Sequence, residues 1–392
     1  MSDRLVIVAD DLTGAADAAA AYGPSAGVTV SLDASAPLPD AEIVAVDTDS
    51  RHRGPAFAAA AVTAAVRAAA AAGIPVYKKI DSTLRGNIAA EVGAALRELS
   101  ATALLAPAFP GTGRTVTGGI LRVNGESLGD LRKLFHESGL RTALIPLETV
   151  RRGPSEVVAA YRAADADVIC ADAETEHDLA VLAAAGAALG PDVLLVGSAG
   201  LTRVAARSRG TGARAFPPPA PGSVLTVLGS YSGPAREQRA ALMASGEVTA
   251  VAVAVAAPFG PPQQDRALAQ LSHADADLLL VPDPAAAVER RNAAAVAAAL
   301  AAVAGRYLAA HRETLAGLVL TGGETARAVL LAAGVTRFEV LGEVEPGVVR
   351  ARVPGLGGLP LITKAGAFGE PGTLDRARRT LHLPAAHAAA AR

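Results

Sequence analysis

Short runs of branched apolar residues alternate with alanine-rich stretches whose small apolar positions recur at helical spacing, along nearly the whole chain. That alternation predicts repeated strand and helix units and mostly parallel sheets. Strands are expected near residues 5–9, 42–46, 74–78, 102–106, 167–171 and 192–196, and again near 224–228, 248–255, 278–281, 318–320 and 361–362. Between the two series lies Phe216-Pro217-Pro218-Pro219-Ala220-Pro221-Gly222, which resists helix and sheet alike and reads as a stiff connector beside a hinge. The expected fold is therefore α/β, with two domains, residues 1–215 and 216–392, whose mostly parallel sheets face a shared cleft. One long helix is expected over 285–310, and the terminal stretch 384–392 is expected to fray.

Polar residues gather where the first strands end. Val6-Ile7-Val8-Ala9 runs into Asp10-Asp11, then Ile43-Val44-Ala45-Val46 into Asp47-Thr48-Asp49-Ser50-Arg51. Pro75-Val76-Tyr77 runs into Lys78-Lys79-Ile80-Asp81-Ser82-Thr83-Leu84-Arg85-Gly86-Asn87. Open α/β sheets bind ligands beyond the carboxyl ends of their strands, so these acids and bases point to a small, polyhydroxylated, charged ligand. In the second half, three strands empty instead into glycine turns: Gly229-Ser230-Tyr231-Ser232-Gly233, Thr321-Gly322-Gly323-Glu324-Thr325, and Lys364-Ala365-Gly366-Ala367-Phe368-Gly369. Glycine lets backbone approach a ligand closely, and the unpaired amides of a helix start favour an anion. A single such turn is more often structural than functional, but three in one domain favour a nucleotide.

Composition narrows the choice. With 36 basic and 38 acidic residues and a net charge of -2, nothing draws the chain to nucleic acid or to an anionic membrane. The lone Cys170 lies in an apolar run and reads as a buried structural thiol. The start lacks a secretory pattern, which predicts a cytoplasmic protein, and no apolar stretch is expected to approach the roughly 18 residues of a membrane span. A Walker sequence, a G-x-G-x-x-G after a strand, H-E-x-x-H and G-x-S-x-G are all missing, against an ordinary P-loop kinase, a Rossmann dehydrogenase, a zinc hydrolase and an α/β-hydrolase.

These blocks, taken in order with Ala106-Pro107-Ala108-Phe109-Pro110, Gly113-Arg114, Val123-Asn124-Gly125 and Gly197-Ser198-Ala199-Gly200-Leu201, resemble the four-carbon acid sugar kinase family from the first strand to about Gly369. The resemblance implies an ATP-dependent kinase that phosphorylates the terminal hydroxyl of threonate, erythronate or a 3-oxo-tetronate in sugar-acid catabolism. It implies an acid-sugar-binding N-terminal domain and a nucleotide-binding C-terminal domain, with ATP contacts on Ser230, Gly322, Gly323, Glu324, Thr325 and Gly366. Leu12 and Tyr231 stand where the family more often has phenylalanine and cysteine.

Phosphoryl transfer asks for an aligned acceptor hydroxyl and for neutralised charge. Arg51, Lys79, Arg85 and Arg114 are the candidates for the sugar carboxylate and transferring phosphate, while Asp10, Asp47 and Asp49 suit its hydroxyls. Asp11 is the first choice for the general base and Asp81 the second, although Asp11 equally suits the N-cap of the following helix and Asp47 and Asp49 equally suit a hydrogen-bonded turn. Lys78 and Lys79 must face opposite ways on a strand. Mg2+ should accompany ATP, largely on phosphate oxygens and water. The partners expected are the acid sugar and ATP, without nucleic acid or membrane and compatible with a homo-oligomer. A two-domain sugar-acid binding protein without catalysis is the alternative.

Overall fold

The computed structural model describes residues 4–23, 27–207, 221–254, 260–273, 276–283, 293–366 and 368–382. The chain divides into two compact units, Met1–Gly212 and Ala213–Arg392. The proline-rich connector at 216–220 and the terminal stretch 384–392 lie outside the described residues.

The first unit carries β1 (Leu5–Ala9), β2 (Val28–Ser31), β3 (Ile43–Asp47), β4 (Val76–Lys79) and β5 (Thr102–Ala106). A small antiparallel sheet follows, made of β6 (Arg114–Thr117), β7 (Ile120–Val123) and β8 (Glu126–Asp130), and then β9 (Thr142–Ile145), β10 (Val168–Ala171) and β11 (Val193–Gly197). The main sheet is parallel throughout, in the order β2-β3-β1-β4-β11-β5-β10-β9. Every residue of β1 and β3 is buried, as expected for a sheet covered on both faces. From β1 the chain passes through α1 (Leu12–Ala20) toward β2 and β3, then returns through α2 (Pro55–Ala71) to β4 on the other side of β1. Strand order thus reverses between β1 and β4, the kind of place where doubly wound sheets bind ligands.

β2, β9 and the small sheet were not among the expected strands. β2 and β9 have only four residues each, too few to establish a period. The small sheet carries Arg122, Glu126 and Asp130 on its strands, so its pattern reads as loop. Its clearest signal is Asn124-Gly125, whose positive φ angles of 49° and 87° make the tight turn joining β7 to β8.

The second unit contains β12 (Ser223–Leu228), β13 (Val248–Val253), β14 (Asp277–Pro282), β15 (Leu315–Thr321), β16 (Arg337–Glu345), β17 (Val348–Val353) and β18 (Leu359–Lys364). Their order is β13-β14-β12-β15-β18-β17-β16; the first five run parallel, and β17 and β16 are antiparallel additions that the apolar pattern did not disclose. Here too strand order reverses, between β12 and β15. Val224, Leu279, Val319 and Ile362 pack with Leu374, Ala377 and Leu381 of the helix Thr373–His382 to form the core.

One expectation needs correction. Within the 22-residue segment Ala293–Thr314 an 18-residue stretch reaches a mean hydropathy of 1.6, long and apolar enough to cross a membrane. Its helix, Ala293–His311, is nevertheless a core helix: Val296, Leu300, Val303 and Leu308 are buried within the unit. Gly305 lies so close to the neighbouring helix that an added Cβ would come within 2.9 Å of Ala332. The reason for the discrepancy is alanine, which raises hydropathy while leaving room for two helix backbones to approach. The part of the expected helix before Ala293 falls outside the described residues.

Candidate active site

Three strand ends at the first reversal point deliver their polar residues to one guanidinium. Arg51, reached from β3 through a short turn, donates from Nε to Asp10 Oδ2 at 2.7 Å and from Nη2 to Asp10 Oδ1 at 2.8 Å. Its Nη1 lies 2.7 Å from Asp11 Oδ2, and its Nη2 lies 3.6 Å from Asp81 Oδ2 beyond β4. Arg85 closes the far side with Nε and Nη2 on the two oxygens of Asp81, at 3.1 and 2.6 Å. Burial alone would raise the pKa of Asp10 and of Asp81. For Asp10 the charge and hydrogen bonds of Arg51, with Lys78 and Lys79, outweigh it; for Asp81 Arg85 and Arg51 do so. Both carboxyls are held below the usual carboxylate range. Gly86, at φ 94°, permits this closeness, because a Cβ there would stand 3.0 Å from Asp10 Oδ2 and 3.6 Å from Arg51 Cα.

A buried polar chain underlies the cluster. Lys78 Nζ meets Glu91 Oε2 at 2.8 Å, with side-chain exposures of 0% and 1%. Glu91 lies on α3 (Ile88–Leu99) and accepts the Ser50 hydroxyl at 2.7 Å. Ser50 Oγ is 2.7 Å from Thr48 Oγ1, which donates to the Ala9 carbonyl. The backbone amides of Ser50 and Arg51 both donate to Asp10 O, so the turn bearing Arg51 is pinned to the end of β1. Lys79 points the other way, as strand alternation requires: its Nζ donates to Ile80 O and lies 3.3 Å from where a Gly14 Cβ would be. Lys78 is accordingly an ion-pair member.

The remaining candidates divide. Asp11 caps α1, its Oδ1 accepting from Gly14 N at 2.9 Å and its Oδ2 from Thr13 Oγ1 at 2.6 Å. At 18% side-chain exposure it is more open than Asp10 at 2% or Asp81 at 7%. Arg114 opens β6, and its Nη1 donates to Ser82 Oγ at 2.8 Å, beside Asp81. Burial depresses its pKa, with Asp81 acting against that and Arg85 with it. Asp47 and Asp49 build a turn: Asp47 Oδ1 accepts from Asp49 N at 2.9 Å, and Asp49, at φ 48°, pairs with the exposed Arg53. Cys170 is buried, and that burial pushes its thiol pKa up to about 12.

The second unit gathers its turns by contact. Gly229 and Ser230 follow β12, Gly322 to Thr325 follow β15, and Gly366 follows β18. A Cβ on Gly229 would stand 3.0 Å from Thr325 Cβ, one on Gly366 would stand 2.6 Å from Ser230 Cβ, and one on Gly322, at φ 90°, would lie 3.7 Å from Ser230 Cβ. Glycine backbone thus meets the Thr325 and Ser230 side chains where larger residues would not fit. Gly322 starts the helix Gly323–Ala332 without a side-chain cap, leaving the first amides to an incoming acceptor. Glu324 is exposed in that first turn. Ser232, which sequence reasoning did not single out, caps the helix Gly233–Ala244 and donates to Gly366 O at 2.8 Å.

Comparison with known proteins agrees with this division. Residues 5–205 match the model of a sugar-binding N-terminal domain, and residues 225–374 that of a nucleotide-binding C-terminal domain. A D-threonate kinase of Cupriavidus necator is 40% identical over 94% of this chain and 96% of its own. A D-threonate kinase of Bordetella bronchiseptica is 36% identical over 96% of each chain. A 3-oxo-tetronate kinase of Burkholderia multivorans is 30% identical over 95% and 96%. In fold, a Salmonella typhimurium protein superposes with a TM-score of 0.81 at 22% identity, over 96% of this chain and 99% of that one. The chain belongs to the four-carbon acid sugar kinase family, ATP-dependent kinases of four-carbon acid sugars.

Proposed function

We propose that this chain transfers the γ-phosphoryl group of MgATP to the terminal hydroxyl of a four-carbon acid sugar, with D-threonate as the first substrate to try, in the cytoplasmic catabolism of sugar acids. The observation that carries this reading is the pairing of a charged cluster at one sheet's reversal point with three touching glycine turns at the other's.

The donors of Arg51 are engaged by Asp10 and Asp11, so its task is to hold the carboxylates in place. The sugar carboxylate then falls to Arg85, whose side chain is 61% exposed, with Lys79 and Arg114 at hand. Asp10 orients a substrate hydroxyl, and Asp47 and Asp49 shape the turn that leads to Arg51. Asp11 takes the proton of the attacking hydroxyl. Asp81 is the poorer base, because it is more enclosed, at 7% side-chain exposure against 18% for Asp11, and Arg85 and Arg51 hold its pKa low. In a loose transition state the proton leaves late, so positioning outweighs base strength.

On the nucleotide side, the amides at Gly323 and Thr325 and the Ser230 hydroxyl hold phosphate oxygens, while Gly322, whose own amide donates to Lys364 O, and Gly366 give clearance. Glu324 would repel a phosphate and is better placed for a ribose hydroxyl or for the magnesium that ATP brings. A screen of ADP release across D-threonate, L-threonate, erythronate and 3-oxo-tetronate tests the reading. ADP formed when one acid sugar is present, and not when it is left out, supports it; tight acid-sugar binding with no ADP would leave a binding protein.

A further inference from the structure

The turn after β18 presents a problem of charge. Backbone that holds a polyanion must offer its amides and keep its carbonyl oxygens away, since each carbonyl carries partial negative charge. In this turn three carbonyls are accounted for by donors from within the unit. Ala365 O accepts from Lys364 Nζ at 2.7 Å, Gly366 O from Ser232 Oγ at 2.8 Å, and Phe368 O from both Lys364 Nζ at 2.8 Å and Gln238 Nε2 at 2.9 Å. Lys364 is the charged member of this set. It ends β18, is 1% exposed, and its own carbonyl accepts from Gly322 N at 2.9 Å, which ties it to the helix start after β15.

We infer that Lys364 is a positioning residue of the nucleotide site, whose buried ammonium turns the carbonyls of Ala365 and Phe368 inward and offsets their charge beneath the polyphosphate. This rests on the reading that the glycine turns bind ATP. Enclosure at that strand end is unfavourable for an ammonium: burial lowers its pKa to about 8, with Glu345 opposing the shift, so its charge is kept there at a cost. Two hydrogen bonds to carbonyls of a single turn recover part of that cost, and an anion above would recover more. An ammonium acting in this way favours phosphate over the rest of the nucleotide, which separates it from a residue that merely holds the fold.

The test is calorimetric titration of the full chain with ATP and, separately, with adenosine, for wild type, Lys364→Met and Gly366→Val. Lys364→Met keeps the apolar stem and removes the charge. It is expected to weaken ATP tenfold or more while adenosine stays within twofold, with a far-ultraviolet circular dichroism spectrum like that of the wild type. ATP and adenosine weakening in step, or ATP unchanged, overturns the inference. Gly366→Val, whose side chain would collide with Ser230, reports on the underlying reading: if it retains wild-type ATP affinity, the turns are not the nucleotide site, whatever Lys364 does. Should Lys364→Met fail to fold, Gln238→Leu takes its place, with an expected three- to fivefold loss for ATP and none for adenosine; equal losses, or none, count against the inference.

Discussion

The two halves of this chain solve recognition in opposite ways on the same kind of sheet. At the reversal between β1 and β4, the ligand end is built of side chains: two adjacent aspartates, a third beyond β4, and arginines that hold them at 2.6 to 3.6 Å. At the reversal between β12 and β15 it is built of backbone, with side chains removed from Gly229, Gly322 and Gly366 so that three turns can touch. A polyhydroxylated acid differs from its isomers by the placement of hydroxyls and one carboxylate, and only directed side chains can read that. A polyphosphate is a dense negative charge, which amides and a helix start can meet without directed side chains at the contact.

If the first half works through charge, its largest sensitivity is Asp11. Asn is as good an N-cap as Asp, so Asp11→Asn should preserve α1 and ATP affinity while turnover falls by about a thousandfold, within the range of general-base loss. Normal turnover in that variant would move the base to Asp81. Next in size is the support below. Lys78→Met leaves Glu91 charged and unpaired in the core, an expected loss of about 3 kcal/mol in urea unfolding, whereas Lys78→Met with Glu91→Leu should recover much of it. The backbone half should answer to volume at its glycines: Gly229→Ala, which forces a methyl group against Thr325, should raise the KM for ATP by about tenfold with the acid-sugar KM unchanged. Arg85→Ala should do the reverse, raising the acid-sugar KM several-fold and sparing ATP.

The smallest effect is on pH. Asp10 and Asp81 titrate lower in the folded chain than their ordinary value of 3.8. Their contribution is therefore complete above about pH 4 and is lost as the pH falls through the folded values. Stability should decline as the pH falls below about 4, and Asp81→Asn should flatten that decline. An unchanged slope would mean that the Arg85 pair contributes nothing to folding.

The sequence disclosed these halves unequally. Long apolar runs with abrupt polar ends, such as Val6 to Asp11, carry both the strand and the site in a few letters, and the glycine turns are visible as letters too. The assignment of Ser230 and Thr325 to a nucleotide came from family resemblance, because neither residue has a distinctive spacing of its own. For Arg51, offered as a substrate ligand, a list of residues cannot show that Asp10 and Asp11 engage three of its nitrogens. Glu91 was missed although it left a trace: it falls on the apolar stripe with Ile88, Val92 and Ala95, facing a lysine within a buried strand. Two opposite charges in core positions are a pair waiting to be matched. β16 and β17 gave no continuous apolar run, because β16 leaves Arg337 exposed and Glu339 and Glu343 half-buried, while β17 buries Arg350 among its apolar residues.

The enclosed chain from Lys78 through Glu91 and Ser50 to Thr48 has a practical consequence for anyone wishing to redirect this scaffold to another sugar. Because each member satisfies the next, a library that randomises positions 48, 50, 78 or 91 singly would fill with unfolded clones. Diversity belongs at Arg85, Ser82 and Arg114, where partners are few and one change can be absorbed by solvent.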